Sequence, residues 1–66
     1  MMNWYRAFFV SKERHICEVV EYLSASDDAA LHHGRDLLTG RPEFAGIEIW
    51  QGARPLLLYP QGHAAA

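Results

Sequence analysis

The chain has one cysteine, Cys17, in 66 residues, so no disulfide can close within it. A chain this short hides only about 60% of its unfolded surface on folding, and its core is marginal. Without a disulfide, a metal, a partner subunit or unusually good packing must make up the difference. Positive charge is also scarce. Six Lys+Arg stand against eight Asp+Glu, for a net charge of −2 with the four histidines neutral. The basic stripe that nucleic-acid binding normally needs is missing. No stretch of 18 apolar residues is present, so no membrane span is expected. No basic segment followed by an apolar run marks a signal peptide. A lone thiol fits a reducing cytoplasm, which is the expected location. The five glycines match no phosphate-binding loop.

Half of the residues are apolar and 21% are charged, a globular balance rather than a disordered one. One domain over 1–60 is expected, followed by a tail, 61–66, too poor in apolar residues to anchor itself. Residues 4–10 are rich in aromatics and read as a strand. The polar stretch 11–15 reads as a hairpin loop, and 16–23 as a second strand. The period then changes. Ser26 is a natural N-cap, and Asp27 and Asp28 suit the positive end of a helix dipole. Ala30, Leu31, Gly34, Leu37 and Leu38 follow at helical spacing. Gly40 is a plausible stop, and Pro42 prevents continuation. Residues 44–50 alternate as a third strand. Gln51-Gly52-Ala53 forms a turn, with Gly52 available for a positive φ. Residues 54–59 form the last strand, and the flanking Pro55 and Pro60 place it at a sheet edge.

The order ββαββ predicts an α+β fold: a four-stranded antiparallel or mixed sheet with one helix, about 26–40, on one face. Strand order 2-1-3-4 would make every neighbour antiparallel. Orders 1-2-3-4 and 2-1-4-3 are alternatives. Gly34, in the centre of the apolar stripe, would let the helix sit close. Alternation puts Tyr5, Ala7, Phe9, Cys17, Val19, Ala45, Ile47, Ile49, Leu56 and Leu58 under the helix. The other face then carries Trp4, Phe8, Val20, Tyr22, Trp50, Leu57 and Tyr59, diluted by Arg6, Glu18 and Glu48. No second helix exists to cover this face. Either the sheet curls tightly or a second copy covers the patch. Aromatics and arginine are enriched at interfaces, which makes Trp4, Phe8, Tyr22, Trp50, Leu57 and Tyr59 the interface candidates.

The segments Tyr5-Arg6, Phe9, His15-Ile16, Asp27-Asp28-Ala29-Ala30 and Glu48-Ile49-Trp50-Gln51-Gly52, with Arg54, resemble a group of short uncharacterised bacterial proteins. These are built as hairpin, helix, hairpin. The resemblance spans most of the chain, from Tyr5 to Tyr59. Such proteins often carry an acidic-Gly turn before the His-Ile pair, where this chain has Lys12-Glu13-Arg14. The resemblance implies the ββαββ pattern and carries over no activity or site.

Chemical sites are thinly supported. His32 and Asp36, four apart on the helix, have spacing suited to two metal ligands, with His33 adjacent. A closed zinc site needs about four ligands, and solvated residues flanking the apolar stripe are the simpler reading. No metal and no cofactor are therefore expected. Cys17 beside Val19 reads as a small core hydrophobe rather than a nucleophile. Glu18 and Glu48 would share a face as cross-strand partners of Arg6 rather than as an acid/base pair. No catalytic set emerges, so an enzyme is not expected. The sequence predicts a non-catalytic self-associating or partner-binding module, with a homodimer expected. The alternative is a small-ligand or metal-binding protein using the helix histidines.

Overall fold

The helix is set by its two ends. Ser26 has extended backbone (φ −155°), and its hydroxyl accepts from the Ala29 N–H at 3.2 Å. This satisfies one of the free donors of the first turn. Asp27 and Asp28 occupy that turn, where negative charge meets the positive helix terminus. The helix α1 runs Asp27–Thr39. Gly40 follows it at φ −80°, ψ 0°, a right-handed conformation open to any residue. The stop comes from Arg41, whose N–H turns back to the Leu38 carbonyl at 2.9 Å, and from Pro42 beyond it.

The structure, a computed structural model, describes residues 1–59. The expected tail 61–66 and Pro60 lie outside the described residues. The strands are β1 (Asn3–Val10), β2 (Ile16–Ser24), β3 (Gly46–Gln51) and β4 (Arg54–Tyr59). The fold is α+β in ββαββ order, and the sheet order is β2-β1-β3-β4 with every neighbour antiparallel. β4 lies at an edge, as its flanking prolines predict. Gly52 takes φ +59° in the β3–β4 turn, and Arg14 takes φ +68° in the β1–β2 loop. The latter is a left-handed position held by a non-glycine residue.

The core lies between α1 and one face of the sheet. Tyr5, Ala7, Phe9, Ile47, Ile49 and Ala30 are at most 1% exposed. Gly34 makes the close approach possible. A Cβ there would stand 2.2 Å from Ile49 Cδ1, so α1 rests on β3 where a side chain is missing. The thinnest dimension is 16 Å, the depth of one sheet and one helix.

Two strands run in the opposite phase to the sequence expectation. In β2, Tyr22 opposes Tyr5, Val20 opposes Ala7 and Glu18 opposes Phe9. Tyr22, Val20 and Glu18 therefore face the helix, while Cys17, Val19, Glu21 and Leu23 face away. The register jumps by one residue between Phe9 and Val10, which pair with Glu18 and Ile16. Cys17 is the extra residue of that bulge and is exposed, not in the core. In β4, Leu57 opposes Ile49 and Tyr59 opposes Ile47, while Leu58 opposes Glu48. Here the bulge falls at Leu56. Leu57 and Tyr59 thus lie on the helix side and Leu58 on the open side. Residues 44 and 45 precede β3 rather than belong to it. Ala45 is exposed, and its N–H donates to the Val10 carbonyl at 2.8 Å. The Phe44 ring packs on Phe9 with centroids 5.2 Å apart.

Candidate functional site

The pairing registers lay the open face out in rows. Leu23 and Trp4 form one row. Glu21, Arg6, Trp50 and Pro55 form the next, followed by Val19, Phe8, Glu48 and Leu58. Trp4 is 63% exposed, Val19 51% and Leu23 45%. Phe8, Trp50 and Leu58 are half-buried by their neighbours. No described element covers this face.

Charge on the face is sparse, and each charged side chain is engaged by a neighbour. The Arg6 Nε donates to Glu21 Oε2 at 2.7 Å, and both side chains are more than half exposed. An ion pair this wet contributes little to stability. The Trp50 indole N–H donates to Glu48 Oε1 at 3.2 Å. Two shallow depressions meet on the Arg6–Glu21 pair. One is walled by Trp4 and Gly52, the other by Phe8 and Val19.

Of the six interface candidates, Trp4, Phe8 and Trp50 are together on the open face. Tyr22, Leu57 and Tyr59 are not, because the bulges in β2 and β4 turn them toward the helix. Tyr22 is buried. Its ring stacks on Tyr5 at 6.0 Å and on His33 at 4.5 Å, and its hydroxyl donates to the Ala30 carbonyl at 2.7 Å. Burial pushes the Tyr22 phenol up to about 12. Tyr59 lines a cleft with Arg35, Leu38, Thr39 and Ile47 on the helix side. In exchange, the open face gains Val19, Leu23 and Leu58. Strict alternation missed these because a bulge leaves no mark in a run of apolar residues.

The polar groups on the helix side have structural work. Asp27 accepts from the Tyr5 hydroxyl at 2.8 Å and from two Arg54 guanidinium nitrogens at 3.2–3.3 Å. Arg54, and then Tyr5, hold the Asp27 carboxyl below its usual range. Burial, and then the Asp27 carboxylate, push the Tyr5 phenol up. Glu18 is not a partner of Arg6 beside Glu48, as expected, but accepts from Arg41 on the helix side. The Arg41 guanidinium lies 5.2 Å from the centroids of both Phe9 and Phe44 and closes that end of the core. Arg41 also reaches Glu43 at 3.3 Å.

His32 and Asp36 are exposed on α1, while His33 is held flat against Tyr22. Among the described residues, no three His, Cys, Asp or Glu side chains gather into a metal-holding group. The Cys17 thiol donates to the His15 carbonyl at 3.4 Å, not to a base that could activate it. No helix among the described residues is long and apolar enough to cross a membrane.

Comparison with protein-family models, with curated proteins and with solved structures gave no match. The functional reading therefore rests on the face itself. It offers aromatic and aliphatic area around a few charges.

Proposed function

We propose that the protein is a non-catalytic self-associating module whose open sheet face binds a second copy of the chain, forming a homodimer. One observation carries this reading. The face that holds Trp4, Phe8, Val19, Leu23, Trp50 and Leu58 has no covering element among the described residues. Its size suits the purpose. Four strands at about 4.8 Å spacing and about 25 Å length span roughly 480 Å². Two such faces bury close to 1,000 Å² together, about the lower bound for a specific interface. A two-layer domain with no disulfide gains most from such a pairing, since its own stability is of order 5 kcal/mol. The exposed thiol of Cys17 stays reduced in the cytoplasm, the compartment we assign.

Light scattering at tens of micromolar should give twice the 7.5 kDa chain mass. Trp50→Glu should reduce it to the single mass while circular dichroism remains folded, because position 50 lies outside the core. The rival arrangement is edge pairing through β2, which carries no proline and leaves one side of its backbone unpaired. An edge dimer would survive Trp50→Glu. A folded wild-type monomer would overturn both arrangements.

A further inference from the structure

Resting on that reading, the charges at the centre of the face distinguish between ways in which two copies can cross. At the centre of the face, Arg6 opposes Trp50 and Phe8 opposes Glu48. These four side chains form a square, with the two charges on one diagonal and the two aromatics on the other. A twofold pairing brings the same face of each copy together, and three axis directions in the plane between the sheets are simple to compare. An axis along the strands sets Arg6 over the partner's Trp50 and Phe8 over the partner's Glu48. An axis across the strands sets Arg6 over the partner's Phe8 and Glu48 over the partner's Trp50. Both leave a carboxylate against an aromatic ring, whose face is negative, and both leave each charge without an opposite charge across the interface.

The third axis follows the Phe8–Trp50 diagonal. It interchanges the two charged corners and leaves the aromatic corners in place. We propose that the two sheets cross near a right angle about this axis, so that Arg6 of each copy pairs with the partner's Glu48. Phe8 then meets the partner's Phe8, and Trp50 the partner's Trp50. Near-perpendicular crossing is one of the two established modes of sheet packing. The side of the square is about 6.8 Å along a strand and about 4.8 Å between strands, a mismatch that a long arginine side chain absorbs. Arg6 need not release Glu21 to do this, because a guanidinium has five N–H donors and can serve two carboxylates. Each dimer would hold two such interchain pairs, desolvated between the aromatic contacts.

The test is charge reversal with mixing, read by light scattering at tens of micromolar. Arg6→Glu alone sets two carboxylates against each other twice per dimer, and Glu48→Arg alone does the same with two cations. Each should run at the single-chain mass. Mixed in equal amounts, the two variants restore both opposite-charge contacts, so the mass should return to that of a dimer. If wild type is a dimer and each variant a monomer but the mixture stays monomeric, the crossing is wrong and the open-face reading stands. If either variant alone remains dimeric, the crossing is overturned and Trp50→Glu decides the open-face reading; a wild-type monomer overturns both. Should Arg6→Glu fail to fold beside Glu21, Arg6→Gln and Glu48→Gln replace the reversals. Each should raise the dimer dissociation constant on the order of tenfold or more. The double variant should lose less than the product of the two, and losses that multiply in full would reject the crossing.

Discussion

The two faces of this sheet come from the same strands and have different lives. On the covered face, Tyr5, Phe9, Ile47 and Ile49 are sealed under α1, and its polar atoms are largely engaged: Tyr5 with Asp27, Tyr22 with Ala30, Glu18 with Arg41. On the open face, Trp4, Val19 and Leu23 stand in water beside a wet ion pair. Hydrophobicity alone does not separate the two, since both are aromatic-rich. The fit of Ile49 into the notch that Gly34 leaves in the helix does. The covered face is specified by shape and by engaged polar groups, whereas the open face is specified only by composition and by the placing of three charges. A face of the first kind is sensitive to a single methyl group, and one of the second kind tolerates much more.

The sharpest way to break that contrast is at the notch. Gly34→Ala should cost about 1–3 kcal/mol, as overpacking of a tight contact does, because the new methyl meets Ile49 Cδ1. Thermal unfolding would show the loss, and adding Ile49→Val, which removes that terminal methyl, should recover most of it. No loss in Gly34→Ala would mean that Ile49 gives way to the methyl at a cost no greater than the helix-propensity gain of alanine over glycine, about 1 kcal/mol.

A smaller effect tests the engaged polar groups. Tyr22→Phe should cost about 1 kcal/mol near neutral pH, the net contribution of one hydrogen bond. It should also change the alkaline limb. The Tyr22 phenol titrates near 10 unfolded and near 12 folded. The stability it provides is therefore complete below pH 10 and lost as pH rises from 10 through 12. Unfolding followed across that window should be flatter in Tyr22→Phe, and an unchanged slope would remove Tyr22 as its cause.

The smallest effect belongs to the open face. In a Trp50→Glu chain, where no face dimer forms, Leu23→Ser should change stability by no more than about 0.5 kcal/mol. A larger loss by chemical denaturation would show that the open face contributes to the fold of the single chain.

The elements whose signals are local were legible in the sequence. Ser26 before two aspartates set the helix start, Gly52 the last turn, and Pro55 the edge. The antiparallel order 2-1-3-4 was among the alternatives because a single helix between two hairpins allows few others. The phases of β2 and β4 were not legible. In β2, both sets of alternate residues are apolar with one glutamate each: Cys17, Val19, Glu21 and Leu23 against Ile16, Glu18, Val20 and Tyr22. Periodicity cannot choose between two equal stripes. The deciding features lie elsewhere, in the bulges at Cys17 and Leu56 and in Arg41, a loop residue 23 positions from its partner Glu18. The candidate face was thus half visible. Trp4, Phe8 and Trp50 could be placed from β1 and β3, and Val19, Leu23 and Leu58 could not.

That ambiguity gives the Tyr22 hydroxyl and the Glu18–Arg41 pair a role beyond holding the core together. A strand with two interchangeable stripes has a ready-made wrong answer. Moved by one residue, β2 would still present apolar side chains to the helix, with Val19 and Leu23 in place of Val20 and Tyr22. It would, however, carry Tyr22 away from the Ala30 carbonyl and Glu18 away from Arg41. These two contacts, one toward each end of the strand, are made in only one of the two alignments and act as a gauge between them.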